Sequence, residues 1–241
     1  MRKIALVLML ALPAVAGAAV VTLVDQLSIA DQQTYVNANG NWLDGRNLFG
    51  SPSDLQLADD FTVPGVAHYA RQVTFDYLML SGQTIPSGGA LVEFFAEAGN
   101  CLPNEAPFAS VTVPTNLLTK TNWTDTVFGG YGCIRLTADL SSYNIVLPAG
   151  KVWVAMQGID PNNWGYTPRG TPVAGCQAVL RDAGVDHGNG YMGGYGTNNW
   201  AACGNYYPPA GDLSIKVTGE PVPEPASLAL LGLAALVLRR R

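Results

Sequence analysis

The sequence predicts an all-β fold, an antiparallel β-sandwich of jelly-roll type, preceded by an N-terminal signal peptide and followed by a short C-terminal membrane-anchor helix. Three observations carry this prediction. Apolar and polar residues alternate with period two in the strands of the body, about residues 19 to 222 of the 241, the pattern of strands with one covered face. Prolines at 64, 86, 114, 148 and 172 punctuate between the alternating runs, as turns require. No stretch of the body sustains helical periodicity beyond a turn or two, and no internal repeat is visible.

The elements follow in chain order. "MRKIALVLMLALPAVAGAAV" opens the chain with basic Arg2 and Lys3, an apolar run from Ile4 to Leu12, and small residues that fit the A-x-A cleavage rule at Ala14–Ala16 and Ala16–Ala18. This is the layout of a secretory signal peptide, and the run is short for a membrane span. Residues 1–18 are therefore assigned to the signal peptide, 19–219 to an exported sandwich, and 220–241 to a C-terminal segment of linker, apolar helix and arginine cluster.

"LADDFTVP" is the first strong strand. "RQVTFDYLML" sets Val73, Phe75, Tyr77 and Met79 against Thr74 and Asp76. "ALVEFFAE" alternates Leu91, Glu93 and Phe95 with Val92, Phe94 and Ala96, and "GCIRLTA" adds another strand. "KVWVAMQGI" sets Val152, Val154 and Met156 against Trp153, Ala155 and Gln157. "DLSIKVTG" closes the body with Leu213, Ile215 and Val217 inward, Ser214, Lys216 and Thr218 outward. Eight to twelve such strands are expected, joined by long polar loops.

Composition narrows the class of partner. Residues 19–222 hold eight Lys/Arg against seventeen Asp/Glu, a net charge of minus nine. An acidic surface with no basic cluster repels phosphate backbones, which argues against nucleic-acid binding. Four cysteines, Cys101, Cys133, Cys176 and Cys203, lie in the exported part, where disulfides persist. Three connectivities are open. The favoured one is local, Cys101–Cys133 with Cys176–Cys203, because each pair brackets a Gly-rich stretch. Each loop of about 30 residues would contribute ~3 to 4 kcal/mol in the chain-entropy model. A four-cysteine metal site would need close C-x-x-C spacing, which is absent.

The residues that could carry chemistry are few. His187 follows Asp186 in a Gly-rich stretch without a G-x-S-x-G elbow, and His68 falls in a turn before a strand; neither makes a triad. Glu93 and Glu97 share a strand face about 13 Å apart at ~3.3 Å per residue, too far for a glycosidase pair. Asp59 and Asp60 point to opposite faces. The expectation is a protein that is not an enzyme, a secreted glycoside hydrolase being the outside alternative. No cofactor is expected either. A weak calcium candidate is "NANGNWLDG", with oxygen ligands at Asn37, Asn39, Asn41 and Asp44; EF-hand spacing is missing and turns explain the same residues.

Aromatic residues supply the best binding candidate. Tyr191, Tyr195, Trp200, Tyr206 and Tyr207 lie among glycines and asparagines, Trp164 follows "DPNN", and Trp153 falls on the polar register of its strand. Exposed rings on a rigid sandwich suit stacking against sugars, with asparagine side chains bonding hydroxyls. The competing reading is that the rings cap a core.

The tail is the sharpest motif. Val222-Pro223-Glu224-Pro225-Ala226 meets thirteen uncharged residues, Ala226 to Leu238, and the chain ends on Arg239, Arg240 and Arg241. A helix of that length spans roughly 20 Å, short for a bilayer core of about 30 Å. Terminal arginines snorkel and favour the cytoplasmic side. The two prolines start the apolar segment cleanly. Prolines, apolar run and arginine cluster, in that order at the C-terminus, resemble the PEP-CTERM sorting signal of Gram-negative bacteria that make exopolysaccharide. The strand plan of the body, from "LADDFTVP" to "DLSIKVTG", is also similar to bodies common among such proteins. The resemblance implies signal peptidase and an exosortase as processing partners, transient anchoring in the inner membrane, and delivery to the cell surface or extracellular matrix. Together these readings suggest a non-catalytic exported protein that binds exopolysaccharide, with a structural or adhesive role as the alternative.

Overall fold

Alternation along the chain becomes two antiparallel sheets that share one core. A computed structural model describes residues 19–27, 56–80, 85, 87–128, 131–159, 165–166, 175–176, 178–181, 201–202 and 212–223. The strands are β1 (Val21–Asp25), β2 (Gln56–Val63), β3 (His68–Leu80), β4 (Ala90–Gly99), β5 (Leu102–Pro103), β6 (Ala109–Val113), β7 (Leu118–Phe128), β8 (Tyr131–Asp139), β9 (Val146–Leu147), β10 (Gly150–Gly158), β11 (Gly165–Tyr166), β12 (Val179–Arg181), β13 (Ala201–Ala202) and β14 (Ile215–Pro221). The fourteen strands among the described residues exceed the eight to twelve expected, because short pairings such as β5 and β9 carry no periodic signal. The single helical piece among the described residues is a 3-10 turn at Thr115–Leu117.

The first sheet runs β1-β14-β3-β8-β7, with β9 and β11 also on β3; the second runs β13-β12-β2-β10-β4-β5, with β6 on β4. The inward registers read from the sequence hold. Val73, Phe75 and Tyr77 of β3 and Ile215 and Val217 of β14 meet Leu57, Phe61 and Val63 of β2, Val92 and Phe94 of β4, and Val152, Val154 and Met156 of β10 in one cluster. Phe75, Tyr77 and Phe94 are fully buried; each such ring contributes roughly 1.5 to 3 kcal/mol over an exposed one. The Tyr77 hydroxyl donates to the Met156 carbonyl at 3.2 Å, so the ring also ties the two sheets together.

Two expectations about local structure need correction. His68 is not in a turn: it is the first residue of β3, buried, with Nδ1 2.8 Å from the Val66 carbonyl. The local disulfide pairing is also replaced, by Cys101–Cys176, with Cα atoms 5.4 Å apart. The reason is topological. Cys101 follows β4 in the second sheet, whereas Cys133 lies on β8 in the first, opposite Leu78. Cys203 lies outside the described residues.

Residues Val20–Val222 form one compact unit; the second unit comprises 1–19 and 223–241. Of that second unit only Ala19 and Pro223 are described, so the predicted signal peptide and anchor helix lie outside the described residues. Among the described residues no helix is long and apolar enough to cross a membrane.

Candidate functional site

The second sheet has two covered faces, and its outer face gathers the polar and aromatic residues that the core excludes. Pleating places Gln56, Ala58 and Asp60 of β2, Trp153 and Ala155 of β10, Glu93, Phe95 and Glu97 of β4, and Arg181 of β12 on that face. Ladder pairs fix their rows: Trp153 lies between Asp60 and Phe95, and Ala155 between Ala58 and Glu93. Arg181 is opposite Gln56, and Ser110 of β6 is opposite Glu93. Ala58, Phe95, Trp153, Ala155, Cys176 and Val179 form a second apolar cluster here, with Leu102 packed against it. The Cys101–Cys176 bridge holds the chain across this face.

Trp153 is therefore corrected from ligand-binding candidate to core residue. It is fully buried, and its indole N–H donates to Glu97 Oε2 at 2.6 Å. Its register was read correctly, but the face it points to is covered. Beside it, Asp60 accepts the Cys176 N–H at 2.8 Å and pairs with Lys151 Nζ at 3.4 Å. Burial is the main cause that raises the Asp60 carboxyl above its ordinary value; the Cys176 N–H and Lys151 oppose it.

Further along the same face, Glu93 accepts from Gln56 Nε2 and from the Ser110 hydroxyl, the latter at 3.0 Å. Arg181 donates to Gln56 Oε1 at 2.7 Å and to the Glu105 carbonyl at 2.6 Å. Its guanidinium lies 5.2 Å from the centroid of the Phe95 ring, within cation–π range. Burial lowers the Arg181 pKa, and Glu93 and Glu105 oppose that. Both carboxylate oxygens of Glu93 are thus engaged, and the cluster forms a rigid, closed network. Sequence reasoning paired neither Gln56 nor Arg181 with Glu93, because Arg181 and Gln56 stand 125 residues apart.

Three further carboxylates are buried among the described residues, Asp59, Asp76 and Asp212. Asp59 faces the space between the sheets and accepts the Leu213 N–H at 2.6 Å and the Asp60 N–H at 2.9 Å. The Gln26 amide lies 3.1 Å from Asp59 Oδ2 and from the Leu213 carbonyl, two acceptors that both call for its nitrogen on that side. Burial pushes the Asp59 carboxyl well up, and the neighbouring Asp212 adds to it. As expected from alternation, Asp59 and Asp60 serve opposite faces. In the first sheet, Asp76 is bridged by Arg135 at 2.8 and 3.1 Å and accepts from Ser214. Burial raises its pKa, against the pull of Arg135 and Ser214.

The remaining candidates lie outside the described residues: Trp164, Tyr191, Tyr195, Trp200, Tyr206, Tyr207, His187 and the calcium set Asn37, Asn39, Asn41 and Asp44. Their points of attachment are nevertheless defined. Segment 182–200 leaves from Arg181, which pairs with Gln56, and rejoins at Ala201, which pairs with Leu180. Segment 203–211 returns at Asp212, next to Leu213 on Asp59. Segment 160–164 rejoins at Gly165 opposite Met79. Segments 182–200 and 160–164 thus join at the Gln56 end of β2 and the Leu80 end of β3, and segment 203–211 midway along β2. Both chain exits lie at the other ends of those strands, where Val222 N–H donates to the Ala67 carbonyl at 2.8 Å and Val21 pairs with Gly219. Among the described residues no group of three or more His, Cys, Asp or Glu could hold a metal.

Comparison with known proteins adds one finding at the exit pole. Residues 221–241 match the PEP-CTERM protein-sorting motif, in agreement with the resemblance read from Pro223, Glu224, Pro225 and the terminal arginines. The motif marks the chain as an exported protein sorted through exosortase processing to the cell surface. No curated protein matches the chain.

Proposed function

We propose that the exported body is a non-catalytic component of the cell surface or biofilm matrix that binds exopolysaccharide, is held transiently at the inner membrane by its tail, and is released or transferred by the exosortase. The observation that supports this reading is polarity. The segments that carry Trp164, Tyr191, Tyr195 and Trp200 join the described strands at the ends opposite Val222. The aromatic residues read from the sequence supply the rings for stacking on such a polymer. A stacking ring supplies contact area and dispersion that alanine cannot replace. The reading invokes no cofactor.

The test is retention of the mature body on the host's exopolymer and on a glycan array. Trp200→Ala should lower retention severalfold without changing the melting temperature. No bound glycan, or a variant that loses stability with retention unchanged, would overturn carbohydrate binding. A second reading, a purely structural or adhesive protein, is favoured by the closed Glu93–Gln56–Arg181 network, which rigidifies a face without leaving its groups open.

A further inference from the structure

At the exit pole four segments meet: Val20–Leu23, Thr62–Ala67, Ile145–Gly150 and Gly219–Val222. Ladder pairs join Val21 to Gly219, His68 to Pro221 and Leu147, and Val63 to Gly150. Gly219 fits closely there: a Cβ would come within 2.8 Å of the Leu23 side chain and 3.1 Å of the Tyr69 carbonyl, and both would have to shift. The turn between β2 and β3 closes tightly: Gly65 takes φ 66 and Val66 N–H donates to the Pro64 carbonyl at 2.8 Å. Only glycine takes that conformation without strain, and the turn thrusts Val66 outward.

The chemistry of this pole is unlike the rest of the described surface. Of the five large hydrophobic residues exposed among the described residues, four belong to it: Val20 (57%), Val21 (38%), Val66 (36%) and Val146 (46%). Across the four segments the only charged side chain is that of Glu220, and Arg71 pairs it. Among the described residues this acidic protein thus carries a valine-rich pole, its one carboxylate paired, at the point where the tail leaves.

We propose that this pole rests on the lipid surface while the tail is still attached. The proposal depends on the reading that the tail anchors the precursor. Three residues, Pro223 to Pro225, separate Val222 from the uncharged run beginning at Ala226. At up to ~3.3 Å per residue the four steps from Val222 reach no further than about 13 Å. So short a tether keeps the pole beside the headgroups, where exposed valines enter the interface and the absence of unpaired charge removes the cost of desolvating one. Processing would then free the pole together with the tail.

The experiment uses the full-length precursor in vesicles of phosphatidylethanolamine and phosphatidylglycerol. A genetically encoded environment-sensitive fluorophore replaces Val66, or Phe108 as a control away from the pole, and quencher-bearing lipids report contact. The expected result is quenching at position 66 several-fold above that at 108. A Val20→Asp/Val146→Asp background, at exposed sites that leave the melting temperature unchanged, should abolish the difference. Equal quenching at 66 and 108 in a precursor that floats with the vesicles overturns the proposal and leaves anchoring intact. A precursor that does not float sinks both. Contrast at 66 that persists in the double variant, or arises only with exosortase present, also overturns lipid contact as the cause.

Discussion

Removing the Cys101–Cys176 bridge tests the architecture where sequence and structure disagreed. The bridge spans 75 residues, against loops of about 30 for the local pairing. In the chain-entropy model a loop of that length contributes about 4.5 kcal/mol. For a body of this size each kcal/mol moves the melting temperature by ~2 to 4 °C, so its loss should lower it by roughly 9 to 18 °C. The variant is Cys101→Ser with Cys176→Ala: position 101 is exposed and accepts a hydroxyl, whereas Cys176 is buried against Trp153 and needs an apolar replacement. Thermal melts of the mature body give the magnitude. Thiol titration of the denatured variant gives the connectivity. If Cys101 pairs with Cys176, deleting both leaves the number of reactive thiols unchanged. If the pairs were local, two new thiols would appear, at 133 and 203. That gain, or a melting shift of only a degree or two, would refute the reasoning.

Other outcomes follow from the same structure. Trp153→Ala should cost about 3 to 5 kcal/mol in urea unfolding and leave retention on exopolymer unchanged, because the ring is fully buried; a stable variant with weakened retention would restore Trp153 as a ligand contact. Asp59 has a folded-state pKa well above its unfolded value, so the folded state holds more protons and this group's contribution to stability falls as pH rises from the unfolded value near ~3.9 through the folded one. Asp59→Asn should lack that limb, and the stability difference between wild type and variant should change across this range; a difference constant with pH would contradict the assignment. Protein matured in an exosortase-competent host should have an intact mass without Arg239 to Arg241, and a mature mass that retains them would contradict processing at the motif.

Much of this protein was legible in the sequence because short-range patterns carry it. Period two in "RQVTFDYLML" and "DLSIKVTG" gave β3 and β14 their inward residues, since alternate Cβ atoms point to opposite faces whatever the partner strand. The sorting tail is likewise a linear signal: prolines, an apolar run and arginines mean the same chemistry in any fold. What alternation cannot say is whether the second face is covered. Trp153 reads as outward and is outward, as is Phe95, yet chain held by Cys101–Cys176 buries both. Only tertiary structure decided that, because the contacts are distant in sequence: Asp60 binds the Cys176 N–H across 116 residues and Asp59 the Leu213 N–H across 154. The same holds for the apolar exit pole, which four separate segments build from valines that look unremarkable one at a time.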